Sequence, residues 1–248
     1  MNNGNLPPHH VDVCIPARRE PGMMVFNVRP GGPDTGRNKI GWIIGVDQQG
    51  NFPLNMKFDT AAQDSCALPN GNLMFSLTGA GLIKEVLRSG QVVRQWHIAG
   101  KWQDKTPPPN SVEIDVPLTH HRVNRFPNGN LLLLSAEMRE LPDWPENDTD
   151  PDAPRGLANV VGDVVLEVTP EGAIVNKWHL LDMLDPYRLC YGSCSGYWRK
   201  LGFPDSNDWC HTNAVFYDAR DDTIMLSLRT QDCILKFHRS TGEIKWIL

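Results

Sequence analysis

A histidine, an asparagine and an arginine stand at the strand ends of one candidate hairpin, in the stretch Asp208 to Gln231. His211 and Asn213 are two residues apart, so on a regular strand they project from the same face, with Val215 following and Tyr217 leading into the turn Asp218-Ala219-Arg220-Asp221-Asp222. The apolar return strand, Thr223 to Leu228, ends on Arg229. Three such residues at neighbouring strand ends can converge on an anion. An exposed edge hairpin with incidental polar residues is the competing account.

A second copy of the pattern lies upstream. Superposing Phe126-Pro127 on Tyr217-Asp218 sets His120 opposite His211 and Arg122 at the position of Asn213. An earlier copy has Ala62 there, beside Gln63 and Asp64. On a regular strand His121 would point away from His120; a bulge would reverse that, so both stay candidates. The set contains no carboxylate, which disfavours a divalent-metal hydrolase and a glycosidase. It favours holding a developing oxyanion, with imidazoles for proton transfer near neutral pH. An arginine fork suits a phosphoryl or sulfuryl group. The set calls for no cofactor and no metal.

The elements that must position these residues read as strands. The chain has 248 residues, enough for one large all-β domain or two smaller ones. Net charge is −5 with no basic cluster, which argues against a nucleic-acid partner. The longest apolar runs, such as Leu131 to Leu134, are too short for a membrane span. The first ten residues have neither the basic segment nor the apolar core of an export signal. Six cysteines include a C-x3-C pair, Cys190 and Cys194, in a Gly/Ser loop; two thiols and a loop disulfide both fit, whereas zinc does not.

Repetition organises the middle of the chain. Each copy pairs two hairpins and ends on tryptophan: Trp96, Trp178 and Trp246, with a half copy from Trp42 to Phe58. Asn70-Gly71 and Asn128-Gly129 are turns that demand positive φ. Four short antiparallel strands per copy predict an all-β fold of β-propeller blades, about three and a half of them. The expected organisation is an N-terminal extension over 1–23, poorly ordered, and a partial β-propeller over 24–248. Loop insertions are expected at about 140–158 and 182–207. Within the first, Glu140 to Arg155 is acidic and proline-rich and reads as a solvated loop or lid. The second carries Tyr191, Tyr197 and Trp198, either as a wall for a planar substrate or tucked against the blades. A short helix is expected near Leu180 to Leu189, where Leu181, Leu184 and Tyr187 recur at spacing three.

At W-C-H-T-N-A-V-F-Y-D-A-R-D-D-T-I-M-L-S-L-R-T-Q, at T-H-H-R-V-N-R-F-P-N-G-N-L-L-L-L and at G-E-I-K-W-I-L, the sequence resembles the arylsulfate sulfotransferase family, over roughly Met24 to Leu248. The resemblance implies a six-bladed propeller that moves a sulfuryl group from a phenolic sulfate ester to a phenol, without a nucleotide sulfate donor. It implies a ping-pong route through a sulfated histidine. His211, Asn213 and Arg229 would bind the sulfuryl oxygens, and the His120-His121 pair would assist proton transfer. The family's H-H-D is H-H-R here, with Arg122 in place of the acid. Its nucleophilic histidine falls in a later blade, beyond Leu248, so a chain shorter than the whole enzyme is expected. Family members are commonly exported. A non-catalytic propeller scaffold is the alternative reading.

Overall fold

The computed structural model describes residues 6–30 and 39–248. The extension expected over 1–23 falls partly on residues 1–5, outside the described residues. From Leu6 onward the segment carries a short 3-10 turn at Pro16–Arg18. Gln48 Nε2 donates to the Pro16 carbonyl at 3.1 Å, and Arg19 donates to the Asp47 carbonyl at 2.5 Å, tying the segment to a hairpin turn.

The described chain is all-β, and its sheets are β-propeller blades that divide into two compact units, Met1–Glu113 and Ile114–Leu248. In the first unit, β1 (Met24–Val28), β2 (Gly41–Val46) and β3 (Leu54–Phe58) form a three-stranded sheet. The half copy expected from Trp42 to Phe58 supplies two of these strands. The next sheet runs in sequence order through β4 (Gln63–Ala67), β5 (Leu73–Leu77), β6 (Leu82–Val86), β7 (Val92–Ile98) and β8 (Ser111–Ile114). A one-turn helix, α1 (Ala99–Trp102), sits between its last two strands.

In the second unit one sheet is ordered β12-β11-β10-β9: β9 (Asn124–Arg125), β10 (Leu131–Pro145), β11 (Arg155–Val168) and β12 (Ile174–His179). The helix α2 (Leu180–Met183) follows it, and β13 (Ser206–Asp208) joins β11 in parallel. The last sheet is a four-strand meander of β14 (Thr212–Asp218), β15 (Thr223–Leu228), β16 (Cys233–His238) and β17 (Ile244–Ile247).

The repeats fold alike because their turns demand it. Gly71 and Gly129 sit at φ 82° and 92°, where a Cβ would be strained. In each turn the preceding asparagine's Oδ1 accepts the N–H two residues on, at 3.0 Å in both copies. Strands between such turns are buried on both faces: all of β5, and Leu131 to Leu134 of β10. Each fully buried aliphatic side chain contributes roughly 1.5–3 kcal/mol. Of the repeat tryptophans, Trp96 and Trp178 are buried, whereas Trp246 is 37% exposed on the outer strand β17.

Two expectations change. The acidic stretch is not a loop throughout: β10 and β11 continue as a long hairpin from Leu131↔Val168 to Pro145↔Arg155, leaving 146–154 as its tip. Proline is tolerated at that outer end, where no further ladder bond is needed. The predicted helix is one turn only, Leu180–Met183, because Pro186 disfavours helical geometry just before it and Leu184 is already extended. Of the two states open to Cys190 and Cys194, the structure has the free thiols, with Cys194 Sγ turned to the Pro145 carbonyl at 3.6 Å.

Candidate functional site

The second unit gathers three histidines, and the backbone explains how. Asp208 ends β13, in register with Val161 of β11, and its N–H donates to the Ser195 carbonyl at 3.0 Å. Three residues on, His211 has φ 48°, a left-handed turn that costs a non-glycine residue about 1 kcal/mol or more. That turn brings His211 Nδ1 to 2.7 Å from Asp208 Oδ2. The other carboxylate oxygen accepts the Trp198 indole N–H at 2.5 Å.

The strained corner is buckled from behind. The carbonyls of Trp209, Cys210 and His211 accept, in turn, Gln231 Nε2 at 2.7 Å, the Thr230 N–H at 3.2 Å and the Arg229 N–H at 3.2 Å. The S-L-R-T-Q segment therefore fixes the shape of W-C-H before any side chain faces a ligand. Asn213 is the extra residue of a bulge, since the ladder steps from Thr212↔Leu228 to Ala214↔Ser227. The period-two argument that put His211 and Asn213 on one face therefore does not apply.

His121 has the same left-handed backbone, φ 49°, and its Nε2 lies 3.3 Å from Nε2 of His211. So His121, rather than His120, is the histidine that meets His211. His120 turns inward: its Nε2 donates to the Ser135 carbonyl at 3.2 Å and lies 3.0 Å from Asp163 Oδ1, an ion-pair distance without hydrogen-bond alignment. Asp163 Oδ2 accepts the Thr212 N–H at 2.6 Å and Oγ1 at 2.8 Å, linking the two sheets of this unit. Burial pushes the Asp163 carboxyl up, but the His120 contact and the Thr212 donors outweigh it and hold the group below the usual range.

The expectation of a site without carboxylates is thus corrected. Asp163 and Asp208 are 1% and 0% exposed, and both serve imidazoles. Neither was legible as a partner, because β13 and β11 meet through a non-local parallel pairing. An acid inside the apolar run Val160 to Val168 was the available signal.

Aromatic rings enclose the histidines. Tyr197 lies edge-on to His211 at 4.4 Å between centroids and is 46% exposed. Trp198 is 1% exposed, 5.1 Å from His120 and 5.7 Å from His211, so it packs beneath the site and holds Asp208. Tyr191 is 83% exposed and makes no ring contact among the described residues. Its loop is pinned instead by Asp148 at the hairpin tip, whose Oδ2 accepts the Gly192 and Cys194 N–H groups at 2.8 and 3.0 Å.

Several polar groups here have no partner among the described residues. His120 Nδ1 and Arg122 Nε are buried and unbonded. Arg122 is half-buried without an ion pair, Asn213 makes no side-chain hydrogen bond, and Arg229 is exposed with an unpaired guanidinium. A buried polar atom left unpaired costs about 1–3 kcal/mol. No group of three or more His, Cys, Asp and Glu among the described residues is arranged for a metal ion, and no helix of theirs is long and apolar enough to cross a membrane.

The second unit is thus an all-β structure whose strand starts bring His120, His121 and His211 together with the buried carboxylates Asp163 and Asp208. The sequence profile described as Arylsulfotransferase (ASST) matches residues 20–248, and the chain belongs to that family. Two curated relatives carry the name arylsulfate sulfotransferase AssT. The one from Escherichia coli is 32% identical over 112 residues, 36% of this chain and 18% of that protein. The one from Lelliottia amnigena is 31% identical over 114 residues, 36% of this chain and 19% of that protein. The matched stretch therefore spans under a fifth of either relative. Among solved structures, virginiamycin B lyase from Staphylococcus aureus aligns over 92% of this chain and 74% of its own, at 12% identity and TM-score 0.39, a likeness too shallow to carry a functional argument.

Proposed function

We propose that the histidine site of the second unit holds the sulfuryl group of a phenolic sulfate ester and supports its transfer to a phenolic acceptor, with no nucleotide sulfate donor. One observation carries this reading. In a member of the arylsulfotransferase family, two imidazoles face each other at 3.3 Å beside guanidinium and amide groups that have no partner among the described residues. Arg229, Arg122 and Asn213 take the sulfuryl oxygens, since a planar fork matches a tetrahedral oxyanion and an amide N–H adds a third donor. The facing imidazoles of His121 and His211 serve the proton that moves with the phenolic oxygen. Tyr197 offers its exposed edge to the aryl ring, at a stacking gain of about 0.5–1.5 kcal/mol. On this reading the group passes through a histidine intermediate.

The test is transfer from 4-nitrophenyl sulfate to phenol by the whole protein and by its His211→Ala and Arg229→Ala variants. Loss of one oxyanion-stabilising donor costs on the order of 10²–10³ in rate. Wild-type transfer by both variants would contradict the assignment and leave a non-catalytic scaffold.

A further inference from the structure

We infer that Asp208 is a positioning residue that fixes the tautomer of His211 and, through it, makes His121 the proton donor of the site. The inference rests on the proposed function for its consequence, while its structural half stands alone. A carboxylate only accepts, so the 2.7 Å contact requires the proton on His211 Nδ1. With Nδ1 protonated, neutral His211 has a lone pair at Nε2. The 3.3 Å contact between the two Nε2 atoms then needs the other proton on His121. The order runs Asp208 carboxylate, His211 Nδ1–H, His211 Nε2, H–Nε2 of His121.

Asp208 is well placed to impose this. It is fully buried, its backbone is held by β13 and by the Ser195 carbonyl, and Trp198 occupies its second oxygen. It therefore has one orientation. In the donor half of transfer, the bond from sulfur to the phenolic oxygen breaks with its electron pair left on that oxygen. His121, an imidazolium in this step, gives its Nδ1 proton to that oxygen and ends neutral, while its Nε2–H stays on the lone pair of His211 Nε2. With a phenolic acceptor the same proton returns. Asp208 touches neither substrate nor sulfur; it acts through the imidazoles.

Because Trp198 donates to Asp208, an asparagine at 208 must turn its oxygen to the indole N–H and its NH2 to His211. Asp208→Asn therefore forces the proton of His211 to Nε2. Long-range 1H–15N spectra of the imidazoles of the whole protein read this directly. The expected result is an Nδ1–H tautomer for His211 in the wild type, Nε2–H in Asp208→Asn, and recovery of Nδ1–H in the double variant Asp208→Asn/Trp198→Phe, where the amide is free to rotate. Transfer in Asp208→Asn should lose on the order of 10²–10⁴ in kcat with KM nearly unchanged, as expected when an orienting carboxylate is replaced by its amide.

An Nε2–H tautomer in the wild type would overturn the inference, and that reading needs no variant to fold. So would an unchanged tautomer in Asp208→Asn. Absence of sulfuryl transfer by the wild type, with the tautomers as expected, would instead remove the proposed function and leave the Asp208–His211–His121 order intact.

Discussion

The hairpin turns and the strand starts of the second unit both concentrate polar side chains, and they treat them in opposite ways. At the turn, Glu167 is buried, and its oxygens accept from Asn130, Asn176 and Arg239 at 2.7, 2.8 and 2.9 Å, with Asn128 at 3.4 Å. Burial pushes this carboxyl up, but the amide and guanidinium donors outweigh it and hold it below the usual range. Glu85 of the first unit does the same work, accepting from Asn70 and Asn72 at 3.0 and 2.6 Å. The third copy keeps the plan with the charge reversed. Lys236 occupies the ladder position of the two glutamates, opposite Met225, and meets Asp218 and Asp221 at 3.1 and 3.0 Å. At the strand starts, by contrast, His120 Nδ1 and Arg122 Nε are buried without partners among the described residues, and two histidines hold left-handed backbones. Satisfied polar groups fasten the blade at the turns, and on the proposed reading the unsatisfied ones at the strand starts are left for a ligand.

The contrast can be broken from either side. His211→Ala should have the largest effect, a loss of sulfuryl transfer of roughly 10³, combining lost proton transfer with a misplaced His121. Steady-state kinetics on the folded protein checks this. Glu167→Gln should cost about 3 kcal/mol of stability, because an amide NH2 would then face the donors of Asn130, Asn176 and Arg239. Urea unfolding measures the loss, and transfer per folded molecule should be unchanged. Arg122→Ala should raise KM for the aryl sulfate roughly tenfold, equal to the 1.4 kcal/mol of one modest charge-assisted contact, with no loss of stability.

The smallest effect is a pH dependence. The Glu167 carboxyl titrates below its unfolded value, so its contribution is complete above the ordinary glutamate range and is lost as pH falls through the lower, folded value. The urea midpoint of the wild type should therefore begin to fall near pH 4.3 and continue downward, and that of Glu167→Gln should fall less. Equal slopes for the two proteins would break the account of the turn.

What was legible in the sequence follows the same division. The Asn-Gly turns, the tryptophan-ended copies and the apolar strands were readable because each is set by local demands on φ and by alternation. His211, Asn213 and Arg229 stood out by their types, and the family resemblance supplies the anion proposed for them. The pairing of His121 with His211 was not readable, because it depends on two left-handed residues, and no local rule requires φ near 50° at a histidine. Asp208 stayed hidden although it lies only three residues before His211, because the strand that fixes it pairs with Asn159 to Val161, far away in sequence. The Glu140 to Arg155 stretch misled in the other direction. Its acids and prolines have the composition of a loop, yet most of the flanks pair as strands, and Trp144 is buried in the core.

The claim that the partnerless groups await a sulfuryl group is tested most directly by binding, independent of turnover. Isothermal titration of 4-nitrophenyl sulfate should give a measurable affinity for the wild type and for Glu167→Gln, and one weaker by tenfold or more for Arg122→Ala and for Arg229→Ala. Equal affinity across all four proteins, or none in the wild type, would contradict it.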